Sequence, residues 1–433
     1  MLAPWEVNRR QFVAAAVATS AVPELAVGRP SLSWPAVRAL IDAYVADKTF
    51  AGIATAISID GGQPAFAVAG TLAFGTAPRV DPDSLFRLYS VSKPVTGIAA
   101  MLLVEDGKIA LDQPVAEVLP ELRNMRVAVD PDRGLDSAPA VRAMTMRHLL
   151  THTSGLSNWQ PVLGDPPITR AYRERGITPG SFVRQSGEPW YTEQVNGLAA
   201  MVARLAEVPL IAEPGTMWHY SMGLDVMGAV IERVAGVSLD RFMRQRIFAP
   251  LGMQSTGFQV GARDARRLTT LYAKGPTGPV AVDAGHDSVW LKPPRLPAGG
   301  GGLVSSAHDL IRFGQMLAGV GQFEGRRIMK PATVRLALSN LLPPGVPYPP
   351  TGGFGAGAGV VMPGVRSDNG SEGVFSAVGA SSTFFSVDPI RRRTSLFLAQ
   401  YMPGRSVPMP EALRYRTAFL RAIDDDLRRR SEA

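Results

Sequence analysis

Strand patterns lie near both ends of this chain and helical patterns fill the middle, an order that limits the fold more than any single residue does. Residues 53–59 and 64–68 read as two strands, with Asp60-Gly61-Gly62 between them as hairpin chemistry. Far downstream, residues 383–387 and 394–401 flank Asp388-Pro389 and form a second hairpin candidate. A helix precedes the first pair. Ser33 is its expected cap, Pro35 suits its first turn, and Val37, Leu40, Ile41, Tyr44 and Val45 share one face. A closing helix over 410–430 follows the second pair and presents Leu413, Phe419, Leu420, Ile423 and Leu427. Strands from both ends can share one antiparallel sheet if the middle is an insertion. The expected architecture is therefore α+β, an antiparallel sheet flanked by helices with an inserted, mostly helical lobe. Its sheet lobe spans residues 29–109 and 291–433, and its helical lobe 110–290. A groove between the lobes is the default ligand site.

The composition supports one large enzyme-sized unit. The chain has 433 residues, 46% hydrophobic and 19% charged, enough apolar mass for a sizeable core. Its net charge of +8 raises the question of anionic partners. The arginines are scattered, however, and no basic-aromatic module is visible, so nucleic acid is not an expected partner. Arg391-Arg392-Arg393 fits a strand turn. Arg428-Arg429-Arg430 fits a helix end, with Asp424, Asp425 and Asp426 four residues ahead of them as helical pairs. There is no cysteine, so disulfides, thiolate nucleophiles and cysteine metal sites are excluded. His148, His152, His219, His286 and His308 show no metal-ligand spacing, and neither a metal nor a cofactor is expected.

The first 28 residues read as an address. Asn8-Arg9-Arg10-Gln11-Phe12-Val13 precedes a short, weakly apolar, alanine-rich stretch, the pattern of a twin-arginine export signal. The stretch is too short to span a bilayer comfortably, and no later segment approaches membrane length. The expected location is outside the cytoplasm, periplasmic or extracellular, after cleavage near Ala26-Val27-Gly28.

Ser90-Val91-Ser92-Lys93 carries the chemistry. Residues three apart on a helix share a face, so Lys93 reaches back to the Ser90 hydroxyl. A serine hydroxyl needs a base beside it, and a desolvated lysine can serve as one. Ser-x-x-Lys also arises by chance as a cap and a solvated side chain. Two features favour chemistry. Lysine occurs only at Lys48, Lys93, Lys108, Lys274, Lys292 and Lys330, and Lys93 is followed by an apolar run over 98–104.

Further motifs follow in order. They are Leu149-Leu150-Thr151-His152-Thr153-Ser154-Gly155-Leu156, Glu213-Pro214-Gly215-Thr216-Met217-Trp218-His219-Tyr220-Ser221, Pro250-Leu251-Gly252-Met253 and Ala298-Gly299-Gly300-Gly301-Gly302-Leu303. With Ser90-x-x-Lys93 they make the chain resemble the serine hydrolases of the β-lactamase superfamily over roughly residues 33–425. That superfamily holds class C β-lactamases, D-alanyl-D-alanine carboxypeptidases and family VIII carboxylesterases. The resemblance implies a β-lactamase/transpeptidase-like fold, Ser90 as acylated nucleophile, Lys93 as its proton partner and Tyr220 as second base. It also implies an oxyanion hole from the backbone N–H groups of Ser90 and Ala380. His148 and His152 are expected to be structural, while His219 stays open between a groove and a structural role.

Two departures bear on the substrate. Where many relatives carry Tyr-x-Asn, this chain has Met222, whose thioether barely hydrogen-bonds. Where relatives carry Lys-Thr-Gly or His-Thr-Gly, it has Ala377-Val378-Gly379. A substrate carboxylate would lose a charge-assisted contact of about 1.5–3 kcal/mol there. Met222, Ala377, Val378 and Gly379 are the expected substrate-side residues. The expected function is a carboxylesterase on neutral short-chain esters, working through a covalent acyl-enzyme on a small ester or amide substrate. The alternatives are a β-lactamase or D-alanyl peptidase on the same scaffold and a catalytically silent binding protein. Composition and pattern leave the oligomeric state open.

Overall fold

The computed structural model describes residues 33–159, 165–178, 194–403 and 409–432, with the backbone alone for 409–413. The expected export segment, residues 1–28, lies outside the described residues, as does the side chain of Leu413. Among the described residues, no helix is long and apolar enough to cross a membrane.

Seven strands form one antiparallel sheet. Their spatial order is Gly352–Phe354, Gly359–Val361, Phe375–Gly379, Thr383–Asp388, Arg393–Leu398, Gly52–Ile59 and Ala65–Gly70. Strand Gly52–Ile59 pairs with its hairpin partner on one side and with Arg393–Leu398 on the other, in the register Ala54 to Leu398. The join between the two ends of the chain thus lies inside the sheet, as the pattern implies. Alternation sorts the side chains into two layers. Ile53, Ile57, Phe384 and Phe397 face the terminal helices Pro35–Ala46 and Met409–Ser431. Ala54, Ala56, Phe385, Val387, Leu396 and Leu398 face a larger core shared with helices Ser92–Glu105, Gly223–Ala235 and Ala307–Ala318.

Two local expectations change. Ser33 does not cap the first helix. The Asp426 carboxylate, carried by the last helix, accepts from the N–H groups of Ala36 (2.8 Å) and Val37 (3.1 Å) instead. An acidic group at a helix N-terminus satisfies otherwise orphaned donors and complements the dipole. The expected four-residue Asp–Arg pairing is only partly kept, since Asp426 still acts electrostatically on Arg430. Asp424 meets Arg393, Asp425 meets Arg428, and Arg430 lies over the Trp34 ring at 4.0 Å.

The strand expected over 394–401 also divides. It leaves the main sheet after Leu398, and Tyr401–Met402 pairs in parallel with Leu271–Lys274. That segment and Pro279–Asp283 put strands inside the region read as helical. Their short, partly exposed pattern gave little periodicity to detect.

Helix Ser92–Glu105 runs through the main core, buried on every side from Ser92 to Leu103. An all-round apolar helix belongs in an interior, and its N-terminal end delivers Ser90 and Lys93.

Candidate active site

Ser90 does not open this helix. It sits one turn earlier, in a 3₁₀ turn over Tyr89–Val91. Tyr89 adopts φ +47°, a left-handed backbone that costs an aromatic residue about 1–3 kcal/mol. Full burial and an edge contact with Trp290 at 5.7 Å hold it there. The turn leaves Ser90 half-buried at the head of the helix.

Three side chains converge. Ser90 Oγ lies 2.5 Å from the Tyr220 hydroxyl. Lys93 Nζ donates to Ser90 Oγ at 3.2 Å and lies 4.6 Å from the centre of the Tyr220 ring. Its strongest anchor is the Gly300 carbonyl, at 2.6 Å. The glycine loop therefore has a function that composition did not reveal. It turns backbone oxygen toward a buried cation, and it is fixed by Thr96 Oγ1 donating to Gly299 O (2.6 Å) and by the Leu303 N–H donating to Ser92 Oγ (3.1 Å). A hydroxyl within reach of both the Tyr220 oxygen and the Lys93 nitrogen can pass its proton, as it attacks, to whichever of the two is deprotonated.

Behind this trio stands Asp225, which sequence reasoning missed. It is buried in the first turn of helix Gly223–Ala235 and accepts from the Gly300 N–H at 2.9 Å. Burial pushes its carboxyl above the usual range, while the Lys93 charge and the Gly300 N–H oppose that shift. An acid flanked by Leu224 and Val226 in the first turn of an apolar helix was the available signal.

Three of the five histidines are tied to the backbone around these elements. The His148 backbone and ring complete a capping box with Thr145. Burial and the Arg142 charge lower its pKa to about 4. His152 Nδ1 accepts the Ser221 N–H at 3.1 Å, and its ring lies 4.8 Å from that of Tyr220. Burial, reinforced by Lys93 and His219, holds this imidazole well below its ordinary pKa. The pKa of His219 is also lowered by burial, and its backbone N–H donates to His152 O at 2.9 Å. All three rings are neutral at neutral pH. Among the described residues, no group of three or more His, Cys, Asp or Glu side chains is placed to hold a metal ion.

The expected substrate-side residues separate. Met222 is only 1% exposed. It belongs to the main core, and its N–H donates to Ser157 O at 3.0 Å. It is the cap residue of helix Gly223–Ala235, so its side chain is withdrawn from any substrate. Alternation sends Val378 to the terminal-helix layer, whereas Ala377 packs toward the main core. Ala380 is exposed in the turn after strand Phe375–Gly379.

Gly379 is required by close approach. A Cβ there would fall well inside contact distance of Thr383 Oγ1 and the Leu88 carbonyl. Gly379→Ala is expected to push this strand off the residues preceding Ser90, lowering stability by about 1–3 kcal/mol and ester turnover with it. Thermal unfolding and active-site labelling check this, and wild-type values for both would reject the close-packing argument.

An aromatic wall borders Tyr220. Trp218 packs on Tyr348 (4.7 Å) and Phe354 (6.1 Å), with Leu342 and Val346 behind. Burial, with Tyr220 alongside, pushes the Tyr348 hydroxyl up to about 12, so it stays neutral.

Comparison with known proteins accords with this geometry. The beta-lactamase family model matches residues 37–418. An uncharacterized protein of Mycobacterium tuberculosis is 36% identical over 344 residues, 76% of this chain and 81% of that one. Esterase EstB of Burkholderia gladioli is 36% identical over 245 residues, 53% of this chain and 56% of the esterase. Among solved structures, EstCE1, described as a hydrolase with promiscuous acyltransferase activity, superposes with a TM-score of 0.69 at 25% identity. The match covers 89% of this chain and 97% of EstCE1.

Proposed function

The chain belongs to the beta-lactamase family of serine hydrolases, and from that premise we propose that it is a carboxylesterase acting on neutral short-chain esters through an acyl-enzyme on Ser90. The observation that carries the ester reading is the strand Phe375–Gly379. Its site-side positions are Ala377 and Gly379, which offer neither a cation nor a hydroxyl to a substrate carboxylate. The aromatic wall beside Tyr220 adds apolar surface suited to an uncharged acyl or aryl group. The Burkholderia relative, an esterase by name, points the same way.

In this mechanism Ser90 Oγ attacks the ester carbonyl while its proton passes to the Tyr220 oxygen, with the Lys93 ammonium stabilising the phenolate. The tetrahedral oxyanion lies against the N–H groups of Ser90 and Ala380. Collapse expels the alcohol, which takes the proton from Tyr220. A water then repeats the sequence on the acyl-enzyme and releases the acid.

Paired turnover of a p-nitrophenyl butyrate ester and a chromogenic cephalosporin tests the substrate class. The ester is expected to lead in kcat/KM by about 10–100-fold, the value of one missing charge-assisted contact. A cephalosporin preference would reject the ester reading in favour of β-lactam or D-alanyl chemistry.

A further inference from the structure

The strand Phe86–Arg87, which leads into Ser90, has a backbone neighbour on one side, Val304–Ser305. On the other side its partner is a side chain. The Arg87 N–H donates to Gln400 Oε1 at 3.1 Å, and Gln400 Nε2 donates back to Arg87 O at 3.2 Å. This is the two-bond exchange that a residue of an adjacent strand would make. The two Nε2 hydrogens are shared with Ser381 Oγ (3.2 Å) and Ala399 O (2.7 Å) as well, and Oε1 also receives Arg87 Nη1 (3.1 Å). Oxygen acceptors ring one end of the amide and donors the other, which assigns its orientation.

Ser381 completes the arrangement. Its hydroxyl donates to Arg87 O at 2.9 Å, and Thr383 Oγ1 donates to Leu88 O at 3.0 Å. Among the described residues, the hydrogen bonds joining 381–383 to 87–88 all start from side chains. Arg87 is held in turn by Asp283, with Nε to Oδ2 at 2.7 Å, and by Thr269 O at 2.6 Å. Gln400, Ser381, Arg87 and Asp283 are all buried.

Ser381 follows Ala380 directly, and Arg87 precedes Ser90 by three residues. We propose that Gln400 and Ser381 are positioning residues that set the spacing of the two oxyanion-hole N–H groups, those of Ser90 and Ala380. The inference rests on the acyl-enzyme reading above. An oxyanion hole works only when its donors stay within about 0.5 Å of their productive places. Here the two donors lie on segments that share no backbone ladder, so side chains must fix the gap. Gln400 reaches this position because the chain leaves the main sheet after Leu398.

The test uses Gln400→Met, close in size but unable to pair, and Ser381→Ala, which removes one hydroxyl. Active sites are counted by fluorophosphonate labelling, so that misfolded protein is discounted. Each variant then gives kcat and KM for the aryl ester and the affinity of an aryl boronic acid, whose serine adduct carries a tetrahedral oxyanion. The expected result is a kcat per labelled site lower by about 10–100-fold, with KM within about threefold. Boronate affinity should fall in parallel. A purely structural role would lower the unfolding temperature and the labelled fraction but leave kcat per labelled site unchanged, and that result overturns the proposal. If Gln400→Met does not fold, Ser381→Ala decides alone. A wild-type enzyme that neither labels nor binds boronate would overturn the acyl-enzyme reading as well, whereas a labelled wild type with unaffected variants overturns the clamp alone.

Discussion

Ser90→Ala is expected to abolish ester hydrolysis and fluorophosphonate labelling while leaving the unfolding temperature close to that of wild type. The expected loss in kcat is at least about 10⁴-fold, the scale seen when a serine nucleophile is removed from its relay. Little else should change. Ser90 is half-buried, so its hydroxyl contributes modestly to packing. Lys93 keeps its 2.6 Å bond to Gly300 O, and Tyr220 keeps its ring contacts with His152. An unchanged fold with no turnover would separate chemistry from structure. An alanine variant that still labels stoichiometrically, on some other serine, rejects the assignment.

The second large effect concerns the proton. Tyr220→Phe retains the ring against His152 at 4.8 Å and Trp218 at 6.4 Å and removes only the hydroxyl beside Ser90. Base catalysis contributes about 10²–10⁴-fold, so kcat should fall by that much while KM moves far less. Lys93→Met should be at least as damaging. It removes the donor to Ser90 Oγ, strips the Gly300 carbonyl of its partner and takes away the positive charge that opposes protonation of buried Asp225. The double variant should cost far less than the product of the single losses, because groups sharing one proton act as a unit. Multiplicative losses would mean that they do not share it. A Tyr220→Phe enzyme within about threefold of wild type would leave Lys93 as the base alone.

Much of this molecule was legible in local pattern. Strand-like runs flanking Asp60-Gly61-Gly62 and Asp388-Pro389 located the central strands, and the three-residue spacing of Ser90 and Lys93 located the pair, because both depend on neighbours in sequence. The failures share the opposite cause. The cap of the first helix comes from Asp426, 390 residues away, so Ser33 looked sufficient. Met222 was read by its place in a motif, but the helix that begins beside it turned its side chain into the core. Asp225 and Gln400 acquire meaning only from backbone groups of Gly300 and Arg87 that folding brings to them. A buried polar side chain declares its partner in three dimensions, and no periodicity encodes that.

The capping of the first helix by the last has a consequence for biosynthesis. Ala36 and Asp426 are separated by 390 residues, which a ribosome adds in roughly 20–80 s at ~5–20 residues per second. Until then the strand Gly52–Ile59 has one neighbour instead of two, and its apolar faces lack both Phe397 and the final helix. The nascent chain therefore carries an unpaired sheet edge until residues 393–398 have been made, a template for wrong partners. Completion of the sheet is a late event of high contact order. The strand Arg393–Leu398 and the helix Met409–Ser431 are the ones that close it.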